Sequence, residues 1–448
     1  MASNNPVINM FKTKDLRNKI LFTLLILAVV RLGSVLTVPG LNPAKLAEYF
    51  SNLAKDSAQS SFVSYMNFFA GGAFEKFSVL MLGVMPYIST QIILQLALII
   101  FPSLKRIVQE DGGQQKFAAW TRIGTVLVCL VQSLAITVYA DSINQQVSGV
   151  IAISNPVLFK FVAMLTVTTG SMVTVWLGDQ ITARGIGNGV SLIIFAGIVA
   201  RLPQAIWDLI RMVKDGSINP VFLIVALLMF IVIIALVVIE QSGERKIPVH
   251  YAKRVVGRRM YGGQSTYIPF KINPSGVIPI IFASSFLTFP IQIANSLAKS
   301  STSWLGKVSA FLNPTGIWYN IILVLLIVFF AYFYTQVTLN PVEIAKGIRE
   351  NGGSIPGIRT DKTEEYLQKV LNRLILPGSL YLAALAILPT VIQKVFGFPP
   401  SIAMLMGGTS LLIVVGVDLD TMAQVEAQLK MHHHDGLTKG SKTKARNL

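Results

Sequence analysis

Apolar residues in this chain of 448 gather into blocks of about twenty, and that block length decides which solvent the chain is built for. A helix needs roughly 20 residues to cross a hydrocarbon core of about 30 Å. A soluble protein would instead alternate amphipathic pieces around a shared core. Only 13% of the residues are charged, against roughly 25% in an ordinary soluble domain. Inside lipid every backbone amide and carbonyl must be satisfied by the protein itself. That leaves helices and closed barrels, and runs of this length are not barrel strands. The sequence predicts an all-α integral membrane protein with ten transmembrane helices. The spans fall near 20–38, 77–101, 118–140, 157–178, 190–207, 220–240, 275–296, 317–340, 371–395 and 402–424.

The net charge of +17 raises the question of nucleic acid, and the distribution of the charge answers it. With the N-terminus inside, alternate loops carry 27 of the 38 Lys and Arg residues. Four lie in the N-terminal tail, four in 102–122, one (Arg184) in 179–189, seven in 241–274, six in 341–373 and five after 425. Such alternation follows the positive-inside rule rather than a nucleic-acid stripe, and it predicts that both termini are cytosolic. The first apolar run, preceded by Lys12, Lys14, Arg17 and Lys19, imitates a signal peptide. It exceeds a typical h-region and further spans follow, so it reads as a retained first helix. The single cysteine, Cys129, lies within a span and offers neither an internal disulfide nor a Cys-rich metal site.

Two cytosolic loops are longer than a tight helical connection requires. Loop 241–274 interleaves Arg245, Lys246, Lys253, Arg254, Arg258, Arg259 and Lys271 with Tyr251, Tyr261 and Tyr267. Loop 341–373 sets Gly352, Gly353, Pro356 and Gly357 around Arg359. A charge run is most often a solvated anchor that fixes topology. Length, aromatic content and turn chemistry together point to protruding docking surfaces here. Between the first two spans, Phe62, Val63, Met66, Phe69, Ala70 and Phe74 recur at helical spacing before Gly71-Gly72 interrupts them. This piece is too short to cross. Pattern alone favours an interfacial half-helix over a piece folded back into a protein-lined cavity.

Ten spans divide into an N-terminal half, 1–207, and a C-terminal half, 208–424, followed by a tail, 425–448. An odd number of spans per half inserts the second half upside down relative to the first, as in inverted-repeat transporters and channels. This symmetry rests on counting, since no residue-level match joins the halves.

Ion-coupled transporters and membrane enzymes need polar or ionisable clusters deep in their spans. Arg31, Asp179, Glu240, Asp418 and Asp420 all sit toward span ends, where snorkelling suffices. The histidines are His250 and the run His432, His433 and His434, whose adjacency does not converge on one ion as an i, i+4 pair does. No phosphate-binding Gly-x-x-x-x-Gly-Lys-Ser/Thr loop occurs, and no cofactor is expected. A small polar substrate has little to hold it. Glycine, proline and small polar residues beside branched aliphatics fill the spans instead, as in 83–96, 185–200, 275–285 and 407–417. Small residues let helices pack closely, and an aliphatic ring around a narrow pore gates it by dewetting.

At these segments the sequence resembles the SecY/Sec61-alpha family, whose bacterial members are the central channel subunits of the Sec translocon. The resemblance runs through FFAGGAFEKFSVLMLGVMPYIS (68–89), WLGDQITARGIGNGVSLIIFAGIVA (176–200), YAKRVVGRRMYGGQSTYIPFKIN (251–273), IPGIR (355–359) and GGTSLLIV (407–414), and it covers nearly the whole chain. It implies two inverted five-helix halves forming an hourglass and a protein-conducting channel rather than an enzyme. The half-helix at 60–75 becomes a re-entrant plug, against the interfacial reading. The pore ring falls on Val84, Ile88, Val190, Ile194, Ile281 and Ile413. Two of these are valine where the family pattern has isoleucine, which implies a slightly wider or repacked ring. Arg258, Arg259 and Arg359 match positions that dock a SecA-like ATPase or a ribosome. The resemblance further implies SecE-like and SecG-like membrane subunits, with preproteins, signal sequences and lipids as the other partners. The expected location is the bacterial plasma membrane.

Overall fold

The computed structural model describes residues 13–53, 63, 67, 70–216, 220–251, 254–256, 259–261, 265–297, 304–314 and 316–440. Helix occupies every one of the ten apolar runs. Seven of the described helices are long and apolar enough to cross a membrane. An eighth crossing arises if Met85–Leu98 and Pro102–Gln109, bent by 106° to one another, count as one span. The two remaining runs hold α1 (Lys14–Gly33), charged toward both ends, and α10 (Ile278–Leu297), whose apolar stretch is shorter. The chain forms two compact units, residues 1–204 with 413–448, and residues 205–412.

The first unit contains α1, α2 (Pro43–Leu53), α3 (Met85–Ile100), α4 (Pro102–Gln109), α5 (Gly113–Gln146), α6 (Pro156–Arg184) and α7 (Gly189–Val199). It also takes most of α16 (Gly408–Gly440), from Ile413 onward. Local chemistry sets the helix ends. Asn155 caps α6 by accepting from the Val157 and Leu158 amides, with Pro156 in the first turn where its missing N–H costs nothing. Asn188 caps α7 by accepting from the Ser191 amide at 3.2 Å. A core of Val38, Leu46, Phe74, Phe77, Ile136, Ile143 and Phe159 lies under α2, with the Tyr139 ring stacked at 6.1–6.2 Å on Phe74 and Phe77. At the other end of the unit Leu16, Ile186 and Val425 pack together. There the Gly187 amide donates to Gln424 Oε1 at 2.9 Å.

The second span departs from its expected start. Residues 77–84 are turns rather than helix, and α3 begins at Met85. Phe77 and Gly83 both hold positive φ, +43° and +53°, values no right-handed helix accommodates. Chain pairing takes helix's place here, with the Val38 amide donating to the Phe77 carbonyl at 2.9 Å and the Val79 amide to Leu36 at 2.8 Å.

The second unit contains most of α8 (Leu202–Lys214), then α9 (Pro220–Ser242), α10, α11 (Trp304–Phe311), α12 (Ile317–Thr338), α13 (Pro341–Glu350), α14 (Thr363–Phe396) and α15 (Pro400–Leu405). It also holds the strands. β1 (Glu244–Tyr251) lies between β4 (Ser265–Lys271) and β5 (Gly353–Ser354), both antiparallel to it, while β2 (Arg254–Val256) pairs with β3 (Arg259–Tyr261). The two basic loops are therefore one structure rather than separate projections. Their alternation is legible in β1, where Ile247 and Val249 are buried and Pro248 and His250 are not. Those two residues join Phe270, Ile348, Ile355, Leu367 and Leu371 in a core beneath the sheet. Much of loop 341–373 is helix, because Asn340 and Pro341 form a capped helix start with the Val342 amide 3.1 Å from Asn340 Oδ1.

Candidate functional site

Two segments of the first unit meet around one small cavity, and glycine is what lets them meet. On α6, a methyl at Gly170 would collide with the Val79 carbonyl. The next residue, Ser171, donates its hydroxyl to the Gly83 carbonyl at 2.8 Å. Together they clamp the turn that delivers Val84 to the start of α3. One turn on, Ile88 presents the same face, its amide donating to Val84 at 3.1 Å. Both are buried.

The second segment is α7, pressed on α6 at Gly178 and Gly189. A methyl on Gly189 would collide with the Gly178 carbonyl, and the Gly189 amide donates to Thr182 Oγ1 at 2.8 Å. Val190 packs over Gly178, and Ile194 follows one turn later. The cavity is lined by Val84 and Ile194, with Leu80, Ile193, Thr174 and Arg31 also on its wall. Of the six ring residues expected, the structure places Val84 and Ile194 on this wall, while Ile88 and Val190 stand one turn from them on the same helices. Ile413 is buried on α16 in this unit, and Ile281 is half-buried on α10 in the other.

Arg31 belongs to this site although its sequence position suggested no more than snorkelling. It lies in the last turn of α1, half-buried, with Nη1 donating to the Gly71 carbonyl at 3.0 Å. Asp179 pairs with Arg122 at 3.1 Å across the exposed ends of α6 and α5. Glu240 does not snorkel either. It is buried at the end of α9, with one oxygen accepting from Gln241 Nε2 at 2.9 Å. The half-helix expected over 60–75 is described only at 63, 67 and 70–75, where positions 63, 67 and 70 are helical. The remaining positions of that range lie outside the described residues.

On the second unit, Arg359 is exposed at the tip of loop 341–373. Buried Ile355 and partly buried Ile358 root that tip in the core beneath the sheet, so the guanidinium projects from a fixed base. Arg259 opens β3 opposite Val256, but its side chain lies outside the described residues, as does all of Arg258. Lys246 places its ammonium 4.7 Å from the centre of the Tyr267 ring. Among the described residues no group of three His, Cys, Asp or Glu side chains converges to hold a metal.

Comparison with known proteins adds an independent line. A family model described as SecY matches residues 78–422. The protein translocase subunit SecY of Borreliella burgdorferi is 42% identical over 438 residues, covering 97% of both chains. That of Aquifex aeolicus is 42% identical over 426 residues, covering 94% of this chain and 96% of its own. Among solved structures, one described as a protein conducting channel superposes with a TM-score of 0.62 at 20% identity, covering 91% of each chain. Sec61 in a canine ribosome-channel complex superposes with a TM-score of 0.58 at 19% identity, again over 91% of each. At those identities the structural likeness speaks for the fold.

Proposed function

This chain belongs to the SecY family, and on that premise we propose that it is the channel subunit of a protein translocase. It passes unfolded preproteins across the membrane and releases signal sequences and membrane helices sideways into lipid. The match to translocase subunits along nearly the entire chain carries this reading. The geometry supports it through the aliphatic wall that Val84 and Ile194 supply. A narrow apolar neck empties of water and raises the barrier to ions, with no charged gate needed. Branched side chains then part around a passing polypeptide and close again, having no specific bonds to break. We assign Ile88, Val190, Ile281 and Ile413 to the same ring. Residues 60–75 act as the plug, and the halves 1–207 and 208–424 flank the pathway.

The chain is not an enzyme, so a partner supplies the work. The face built from the two basic loops is suited to an acidic or phosphate-rich partner, and Arg258, Arg259 and Arg359 are its contact residues. We assign that face to a SecA-like ATPase and to the ribosome. One structural neighbour is Sec61 in a ribosome-channel complex, which agrees with the second assignment. SecE-like and SecG-like subunits complete the channel, in a bacterial plasma membrane with both chain termini cytosolic.

The direct test is reconstitution of the protein, purified with its membrane subunits, into vesicles supplied with the cytosolic ATPase and a preprotein. Signal-dependent accumulation of protease-protected preprotein is expected. Binding of preprotein with no protected product, alongside uptake of a small solute, would replace the channel by a transporter.

A further inference from the structure

A guanidinium beside an aliphatic neck needs a reason to be there. Arg31 lines the same cavity as Val84 and Ile194, together with Ala70, Gly83 and Gly197. Its Nη1 donates to the Gly71 carbonyl at 3.0 Å, and its own carbonyl accepts from Ser34 Oγ at 2.7 Å. Gly71 is held at φ +60°, and it lies against α7 so closely that a methyl there would sit 2.8 Å from both Gly197 Cα and Arg31 Nη2. Further along the turn the Gly72 amide donates to the Asn67 carbonyl at 2.9 Å and the Glu75 amide to Asn67 Oδ1 at 3.0 Å, with Asn67 fully buried. The turn is thus compact in itself, and Arg31 ties it to α1 while Gly197 gives it a seat on α7.

We propose that Arg31 is a positioning residue of the seal: it seats the Gly71 turn against Gly197 beside the Val84–Ile194 wall, and releasing that one carbonyl unseats the turn. The inference rests on the channel reading above. Its chemistry fits a device that must hold and let go. A charged donor to a backbone carbonyl is stronger than a neutral hydrogen bond, yet it needs no shape complementarity and reforms when the turn returns. An aliphatic contact at the same place would add packing but no fixed register.

The test uses channel purified with its membrane subunits, measured for resting conductance in planar bilayers and for transport in vesicles. Arg31→Gln keeps side-chain bulk and removes the charge. Resting leak is expected to rise about tenfold, as the loss of one charge-assisted hydrogen bond shifts an equilibrium. Preproteins with defective signal sequences should also pass, their rate rising relative to that of normal ones. A merely structural role would lower both transport rates together, and that result overturns the proposal. In a Cys129→Ala background, a disulfide between Ala70→Cys and Gly197→Cys should return the Arg31→Gln leak to the wild-type level. Persistent leak from the cross-linked channel also overturns it. Should Arg31→Gln fail to accumulate, Gly197→Val carries the test by wedging α7 away from the turn, and a wild-type resting leak there counts against the seat. Ile194→Asn separates the two readings. If it leaks and Arg31→Gln does not, the assignment of Arg31 falls alone; if neither leaks, the channel reading falls and takes this one with it.

Discussion

Helices α7 and α9 are written in nearly the same alphabet of Ile, Val, Leu and Phe, yet they live in opposite surroundings. Six of the eleven residues of α7 are buried, among them Leu192, Ile193, Ile194 and Ile198. Of the 23 residues of α9 only Ala226, Ile233, Val237 and Glu240 are. Hydrophobicity cannot make this distinction, because lipid tails are as apolar as a leucine side chain and burying one inside the protein gains little. Close approach makes it. Gly189 on Gly178 and Gly197 beside Gly71 bring backbones together, and dispersion contacts then accumulate around them. Helix α9 has no glycine, and of its two alanines, Ala226 and Ala235, only the first is buried; most of its surface turns outward. An aliphatic side chain in such a protein takes its role from the small residues near it.

The comparison breaks most visibly if the glycine is removed. Gly189→Leu drives a side chain into the Gly178 carbonyl, and the overpacking should cost about 1–3 kcal/mol or more. A sharp fall in the amount of folded protein and in its melting temperature in detergent is expected. Normal melting would mean that α6 and α7 slide apart freely and that the contact does not fix the wall. The next largest effect is functional. Ile194→Asn, Ile281→Asn and Ile413→Asn should each raise resting conductance in bilayers and relax signal-sequence selectivity. Ile231→Asn, at an exposed position of α9, should leave both unchanged. Equal leak from Ile231→Asn would show that polarity anywhere in the spans suffices, and the ring would lose its meaning.

A third variant, Arg359→Glu, takes the comparison to the rooted loop. Its tip is exposed and contributes nothing to a core, so the protein should stay as stable as wild type, within about 0.5 kcal/mol. Motor-driven secretion should stop while resting conductance is untouched. Full secretion with Arg359→Glu would return the loop to a plain determinant of topology. The smallest effect belongs to Leu228→Ala on the lipid-facing side of α9, which should move neither melting temperature nor leak. A loss beyond about 1 kcal/mol there would reveal a protein partner covering α9 where lipid is expected.

What the sequence made legible follows from how local each signal is. Span length and loop charge are local, and helix stands at all ten runs. Asn340 and Pro341, by contrast, start a helix where the sequence reads as a loop. The resemblance, not periodicity, named Val84, Ile88, Val190 and Ile194, and the motifs that carry it are readable within single segments. What brings Val84 to Ile194 is not, because that depends on Gly170 meeting a carbonyl some ninety residues away. The turns of 77–84 were hidden under an apolar run that looks helical, since Phe77 and Gly83 reveal their φ values only in place. Strand β5 is two residues long and has no periodicity to read; its partner β1 belongs to another loop. Arg31 offered a charge near a span end and no hint of its partner, since a backbone carbonyl leaves no mark in a sequence.

One hydrogen bond described above also imposes an order of events. The Gly187 amide and Gln424 Oε1 are 237 positions apart, and both belong to the first unit. At a synthesis rate of about 5–20 residues per second, Gln424 reaches the membrane roughly 10–50 s after Gly187. Throughout that interval the Leu16–Ile186 surface lacks Val425, and the Gly187 amide has to find a temporary partner. The unit begun first is therefore finished last. A chain broken off just before Gln424 would carry every residue of the candidate neck and still leave the Gly187 end unlatched.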